Sequence, residues 1–454
     1  MINKNKSLAL LFGYGLLTEL SYILFVMINV DRNIPLYMFI YFETFILFFL
    51  AYFIIRRDEV ESSTVENSKS ERNITRNVFE KILVSIFGDT EKLKIPLIII
   101  CFGIIFRITL LPTAYTTSDD IHRYLWEGKV LVNGYNPFTT PPEDSTLNYL
   151  RDDNYEKVTF KNMPAIYPPF SQTVFALNYL VAGNSVYFLK IIYLFFEVLT
   201  LIFLLKLLLL KAKNPKYILL YAWLPLPIME YFINAHLDPI GITFIVLFLY
   251  YFEKSKFNIS SVMLALAFLS KILAVLLLPL IIKKTGYKKA FIFYAVFLLT
   301  CIIFYLPFVS GNPDVLKGLF RYLQHWEFNG SVYNLLKLFF TRGDIAHLLC
   351  AGLLSVSVLV VSFKYKEFMN AVFTVFLLII IFSTTVYPWY LGWIAALNVF
   401  SPFYSILSLF FTINFSNFTP LAPKWKEYPI VWIIEYFPFY SLLIYDLWRR
   451  RVKD

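Results

Sequence analysis

IPLIIICFGIIFRITLLPTAYTTSDDIHRYLWEGKVLVNGYNPF, residues 95–138, decides the fold. Its first half is an apolar run, Ile95–Leu111, close to the roughly 20 residues that span a hydrocarbon core. Two adjacent carboxylates, Asp119 and Asp120, lie just past the mouth of that run. Charge beside hydrocarbon is costly, so a pair kept there marks a functional site. Arg123, Trp126 and Glu127 follow within two helical turns, so a short helix gathers acid, base and aromatic groups on one side. The stretch reads as the catalytic lip of an integral-membrane transferase.

The rest of the chain agrees with a membrane protein. Of its 454 residues 58 % are hydrophobic and only 16 % charged, where a soluble domain carries about 25 % charged residues. Several runs approach span length, and the strict alternation of barrel strands is absent. The fold class is therefore all-α and polytopic, with roughly 11–14 transmembrane helical segments, some too short to cross a full bilayer. The abundant Phe and Tyr suit lipid-facing and interfacial positions, or reflect a biased genome. The net charge of +10 resides mostly in short loops, where it orients spans instead of binding nucleic acid. Cys101, Cys301 and Cys350 all sit in apolar segments with no metal-ligand spacing and read as small buried hydrophobes.

Charge bookkeeping supplies a topology. Residues 1–55 hold two spans closed by Arg56 and Arg57, and residues 56–94 form a cytoplasmic linker in which FEKILVSIF can lie flat on the membrane. The third span then runs outward and opens a large outer loop, 114–185, within a membrane domain covering 95–454. IYPPFSQTVFALNYLVAG, 166–183, reads as a juxtamembrane helix because of its prolines and polar Ser171, Gln172 and Asn178. Basic flanks on both sides of 258–284 make that apolar stretch a hairpin with Ser270–Lys271 at its outer tip, and 389–415 is a second hairpin turning near Ser401–Pro402. Both termini fall in the cytoplasm, in a prokaryotic plasma membrane, and the motif-bearing loops all face outward. No fixed-period repeat is present.

Those loops hold the candidate chemistry. Asp119 and Asp120 suit a base that takes a hydroxyl proton or an anion beside an oxocarbenium-like state; the same Ser-Asp-Asp also suits a helix N-cap. A divalent metal at the pair is conceivable, but no further acidic ligand spacing supports one and no cofactor is required. Tyr167 in AIYPPFSQ is either a sugar platform or an interfacial anchor. His236 and Asp238 in NAHLDP suit a ligand pair, a proton relay or a plain turn. Lys271, amid apolar residues, suits a lipid phosphate or snorkels. His325, Trp326, Glu327 and Asn329 suit carbohydrate or diphosphate recognition, whereas Tyr387 and Trp389 also fit an aromatic belt.

In order along the chain, SDDIHRYLWEGKVLVNGYNPF, AIYPPFSQ, NAHLDPIGI, LSKILAVLLLPL, WEFNGSVYNLL and VYPWYLGW resemble the GT-C superfamily of integral-membrane glycosyltransferases. The likeness is to polyprenol-phosphate-dependent mannosyltransferase-like members and covers most of residues 95–400. It implies a GT-C-type bundle and an inverting transfer of one sugar, mannose or another hexose, from a polyprenyl-phosphate donor on the extracytoplasmic face. It places the general base at Asp120 or Asp119, and the donor phosphate at Lys271 with Arg123 and His325. Trp126, Glu127, Tyr167, His236, Asp238, Trp326, Glu327, Asn329, Tyr387 and Trp389 become sugar- or acceptor-binding candidates. The two spans before residue 95 depart from the family pattern. With no sizeable soluble domain after the membrane part, the acceptor is expected to be lipid-linked or a glycan. The rival is a secondary transporter or lipid-linked sugar flippase, which would place its coupling charges at mid-span.

Overall fold

The computed structural model of the chain describes residues 4–28, 32–63, 93–309, 314–340, 342–421 and 425–451. Of the described residues 78 % are helical, and they form no β-strand beyond isolated bridges of Phe328 and Asn329 to Thr385. The N-terminal elements are α1 (Lys4–Ile28), α2 (Ile34–Ser63) and α3 (Lys94–Thr109). The segment after α3 carries α4 (Asp120–Val132) and α5 (Pro169–Ala182). Next come α6 (Val186–Leu210), α7 (Pro225–Phe232), α8 (Asp238–Glu253), α9 (Phe257–Ser270) and α10 (Tyr287–Val309). The chain closes with α11 (Lys317–His325), α12 (Gly343–Lys364), α13 (Phe368–Phe382), α14 (Gly392–Asn398), α15 (Tyr404–Thr412) and α16 (Pro429–Arg451).

Among the described residues six helices are long and apolar enough to cross a membrane: α1, α2, α6, α10, α12 and α16. The remaining apolar helices are shorter. α3 and α8 have 16 residues each, about 24 Å at 1.5 Å per residue; α8 lies inside the bundle, whereas α3 exposes Ile105, Ile108 and Cys101, the last against its reading as a buried hydrophobe. α2 continues past the expected boundary at Ile55 as far as Ser63, because Arg56 and Arg57 carry alkyl stems long enough to leave the apolar face without ending the helix. The rest of the expected 56–94 linker, including FEKILVSIF, lies outside the described residues.

Breaks in the helices position the site. Lys271 is extended (φ −155°, ψ 130°) and separates α9 from a 3₁₀ turn, Ile272–Leu277. α9 packs along α8, which sets Lys271 beside Asp238 at the start of α8. The 389–415 stretch likewise turns between α14 and α15, where Arg450 donates to the carbonyl and hydroxyl of Ser401 at 3.0 and 2.8 Å. At the end of α8 away from Asp238, Lys211 pairs with Glu253 and Glu367.

The loop between α3 and α6 is a folded unit. Trp126, Val130, Leu147, Leu150 and Tyr155 make a small core of their own. α5 buries Gln172 and Phe175 against α4 and exposes Leu177, Leu180 and Val181 on its other side. Its 14 residues reach about 21 Å, short of a span. The two helices approach so closely at Gly128 that an added Cβ would lie 2.2 Å from the Phe175 carbonyl oxygen. Gly128→Ala is therefore expected to cost about 1–3 kcal/mol, as overpacking does. Thermal unfolding of the purified variant checks this, and an unchanged midpoint would refute the contact.

Candidate active site

Asp119 and Asp120 open into a cavity of about 510 Å³. Its other walls come from Phe160–Tyr167, the end of α11 with Trp326, and the turn Tyr387–Tyr390. Asp119 occupies the N-cap position of α4 without a side-chain capping bond; the Asp120 N–H is taken by the Ser118 hydroxyl at 3.3 Å. Capping therefore uses Ser118 and leaves both carboxylates for the cavity. The Asp120 side chain is about a third exposed, at 36 %. Burial, reinforced by the Asp119 charge and opposed by Lys271, pushes its carboxyl up to about 7.

The approach to the pair is held from behind by Asn234. Its side-chain oxygen accepts the Thr116 and Thr117 N–H groups at 3.0 and 2.9 Å, and its amide donates to Thr117 Oγ1 at 2.7 Å and Glu230 Oε2 at 3.0 Å. Deeper still, Lys271 Nζ donates to Asp238 Oδ1 at 2.7 Å and sits 3.9 Å from the centre of the Tyr390 ring. Trp393 Nε1 donates to the same Asp238 oxygen at 2.6 Å. Lys271 lines a second, smaller cavity of about 110 Å³ with Ile272, Leu273 and Leu323. Tyr167, Tyr322, Trp326 and Tyr390 border both cavities.

Aromatic rings form the far wall. Phe328 stacks on Tyr387 (4.5 Å), Tyr387 on Trp389 (4.3 Å) and Trp389 on His236 (3.6 Å). Of the residues singled out in the sequence, Asp119, Asp120, Arg123, Tyr167, His325, Trp326, Glu327, Tyr387 and Trp389 all border the main cavity.

Other candidates lie off the main cavity or have their charges paired beside it. Trp126 is buried against Tyr155 in the loop core, and six positions on from Asp120 it falls on a different face of α4. Glu127 is buried and accepts Arg123 Nε at 2.6 Å and Gln172 Nε2 at 2.7 Å. His236 and Asp238 are buried behind the wall. Asn329 is buried in a left-handed conformation (φ +52°), its amide on Glu435 at 2.6 Å. Arg123, although at the cavity, spends its guanidinium on Glu127 and on the Phe160 and Met163 carbonyls, which ties down the cavity rim. Glu327 is paired with Lys337 at 2.9 Å.

Glu230, Tyr322 and Trp393 escaped the sequence reading, whereas Tyr390 was legible beside Tyr387 and Trp389 as an aromatic at an outer helix end. Of the three, Glu230 alone carried a signal, as a carboxylate inside the apolar LPIMEYF run. Among the described residues no group of three or more His, Cys, Asp or Glu has the geometry to hold a metal ion. Residues 99–285 match the family model described as alpha-(1->6)-mannopyranosyltransferase, N-terminal domain. No curated protein and no solved structure matches the chain. Sugar transfer requires a sugar donor and an acceptor. The chain is a membrane glycosyltransferase, similar over residues 99–285 to the N-terminal domain of the alpha-(1->6)-mannopyranosyltransferases.

Proposed function

We propose that the enzyme transfers a single hexose, with inversion, from a polyprenyl-phosphate donor to a hydroxyl of a lipid-linked or glycan acceptor. Asp120 is the general base and the site faces the extracytoplasmic side. The observation that carries this reading is the Asp120 carboxylate, open to an aromatic-walled cavity that adjoins a smaller apolar one holding Lys271. The acceptor O–H gives its proton to Asp120 while its oxygen bonds to the anomeric carbon. The bond from that carbon to the phosphate oxygen breaks, and the phosphate leaves with the electron pair. Asp238 uses one of the three N–H donors of Lys271; the others serve the phosphate oxygens. Ile272, Leu273 and Leu323 offer apolar surface to the first prenyl units. Trp326 and Tyr387 offer ring edges and faces to sugars.

The transporter reading draws less support. The buried pair Arg107–Glu197 (2.8 Å), at the last turn of α3 and the middle of α6, borders neither cavity of the site.

Purified enzyme given radiolabelled hexoses on polyprenyl phosphate and on nucleoside diphosphate is expected to transfer label from the lipid donor alone. Equal transfer from a sugar nucleotide would sink the donor assignment. A base works deprotonated, so a carboxyl raised to about 7 predicts activity that falls as pH drops through about 7. Asp119→Asn removes the neighbouring charge that helps raise it, so the acid limb is expected to move to lower pH. A pH–rate profile of kcat/KM reads both, and a limb near the ordinary carboxylate value of about 4 would refute the assignment.

A further inference from the structure

We infer that His236 is a positioning residue for Asp120, bridging it to the buried Glu230 so that the three groups share one negative charge, which rests on Asp120. The inference rests on the reading of Asp120 as the base.

The geometry is specific. His236 is fully buried in the turn between α7 and α8. Its Nδ1 lies 3.8 Å from Asp120 Oδ2 and its Nε2 lies 3.7 Å from Glu230 Oε2. Neither nitrogen has a hydrogen-bond partner. A buried polar atom left unpaired costs about 1–3 kcal/mol, so two on one ring mark a site that completes itself in another state. The ring is held by stacking on Trp389 at 3.6 Å. Glu230 is anchored by Tyr37, which donates to Oε1 at 2.8 Å, and by Asn234 at 3.0 Å. The movable groups are the cavity-exposed Asp120 side chain and the imidazole itself, which can slide within the plane of its stack on Trp389 toward Glu230. A contraction of about 0.5–1 Å brings both contacts to hydrogen-bond length, and catalytic hydrogen bonds commonly tighten only when substrate is bound.

Proton counting then fixes the charge. Burial, together with the nearby Lys271 charge, holds the imidazole well below its ordinary value, so the ring is neutral and carries one N–H. One N–H cannot serve two carboxylates. If Nδ1–H donates to Asp120 Oδ2, Nε2 must accept a proton-bearing oxygen from Glu230. The alternative puts the charge on Glu230, whose contacts Tyr37 and Asn234 are neutral and which has no exposure. Asp120 has the cavity, and Lys271 and Arg123 favour its charge against Asp119 and Asp238. The charge therefore stays on Asp120. His236 holds Oδ2, leaving Oδ1 for the acceptor proton.

His236→Ala is expected to raise the acid limb of the kcat/KM profile by about one unit, roughly a tenfold loss at pH values below the limb, with recovery at high pH. His236→Asn, whose amide reaches toward the Nδ1 position, is expected to restore most of the shift. Glu230→Leu frees the ring's N–H from its commitment to Asp120 and is expected to shift the limb the same way. The double variant His236→Ala/Glu230→Leu should shift it no further than either single change. A uniform loss at every pH, or additive shifts in folded protein, would overturn the bridge. Asp120→Asn in the same series separates the two ideas: full activity there defeats the base reading itself, whereas its loss with an unmoved His236→Ala limb defeats only the bridge.

Discussion

Asp120→Asn is expected to lower kcat by about 10²–10⁴-fold, the usual contribution of a positioned general base, while the protein remains folded. The substitution keeps shape and removes only the ability to take a proton. The residue's backbone bond to Ser118 is untouched, and no side-chain capping bond depends on either aspartate. Its side chain borders open cavity, so an amide there strands no buried charge. Donor binding should change little, because the phosphate and prenyl contacts proposed at Lys271 and Leu273 lie in the adjoining cavity. Asp119→Asn is expected to keep measurable turnover, since the neighbouring Asp120 retains its proton acceptor. Single-turnover transfer of labelled hexose, with thermal unfolding as the control for folding, reads both variants. If Asp119→Asn proved the dead variant and Asp120→Asn the active one, the base would pass to Asp119.

How much of this was legible in the sequence depends on the kind of signal. Run length and flanking charge gave the helical bundle, the short helix α5 and the helix break at Lys271, because membrane insertion constrains apolar length and charge directly. The gathering of Asp120, Trp326 and Trp389 around one cavity follows from the same bookkeeping, which put their loops at one end. Which way a side chain points inside that end is set by packing and was not legible. Trp126 is an instructive case: its helical phase relative to Asp120 separates it from Arg123, Tyr124 and Glu127, which fall at i+3, i+4 and i+7. Asn329 and Asp238 looked like ligands because polar residues beside a membrane usually are. Here they satisfy the buried Glu435 and Lys271, which lie far away in sequence. The role of Glu230 needed its partners Tyr37 and Asn234 in view.

The second large effect concerns the scaffold that aims Asp120. Arg107 and Glu197 are both fully buried and meet at 2.8 Å between α3 and α6. Arg107 also donates to the Gly103 and Ala222 carbonyls at 2.7 and 2.8 Å, and Tyr221 donates to Glu197 at 2.6 Å. One turn beyond α3, Lys190 of α6 reaches the Thr113 carbonyl at 2.7 Å, so the start of the Asp119–Asp120 loop is fixed by the same pair of helices. Breaking a buried pair by removing one partner costs about 3–5 kcal/mol, because the other charge is stranded. That is a large share of the roughly 5–15 kcal/mol that holds a domain folded. Glu197→Ala and Arg107→Ala are each expected to yield little folded protein by fluorescence-detected size exclusion. The pair itself adds little net stability, since replacing both charges with apolar groups of similar volume is often neutral or better. Arg107→Met/Glu197→Met is therefore expected to recover folding, and with it sugar transfer, because neither residue borders the cavity. Single variants as stable as the parent would show that water or lipid reaches the pair. A double variant that folds and cannot transfer would instead give the pair a part in the reaction, and return weight to charge movement within the helices.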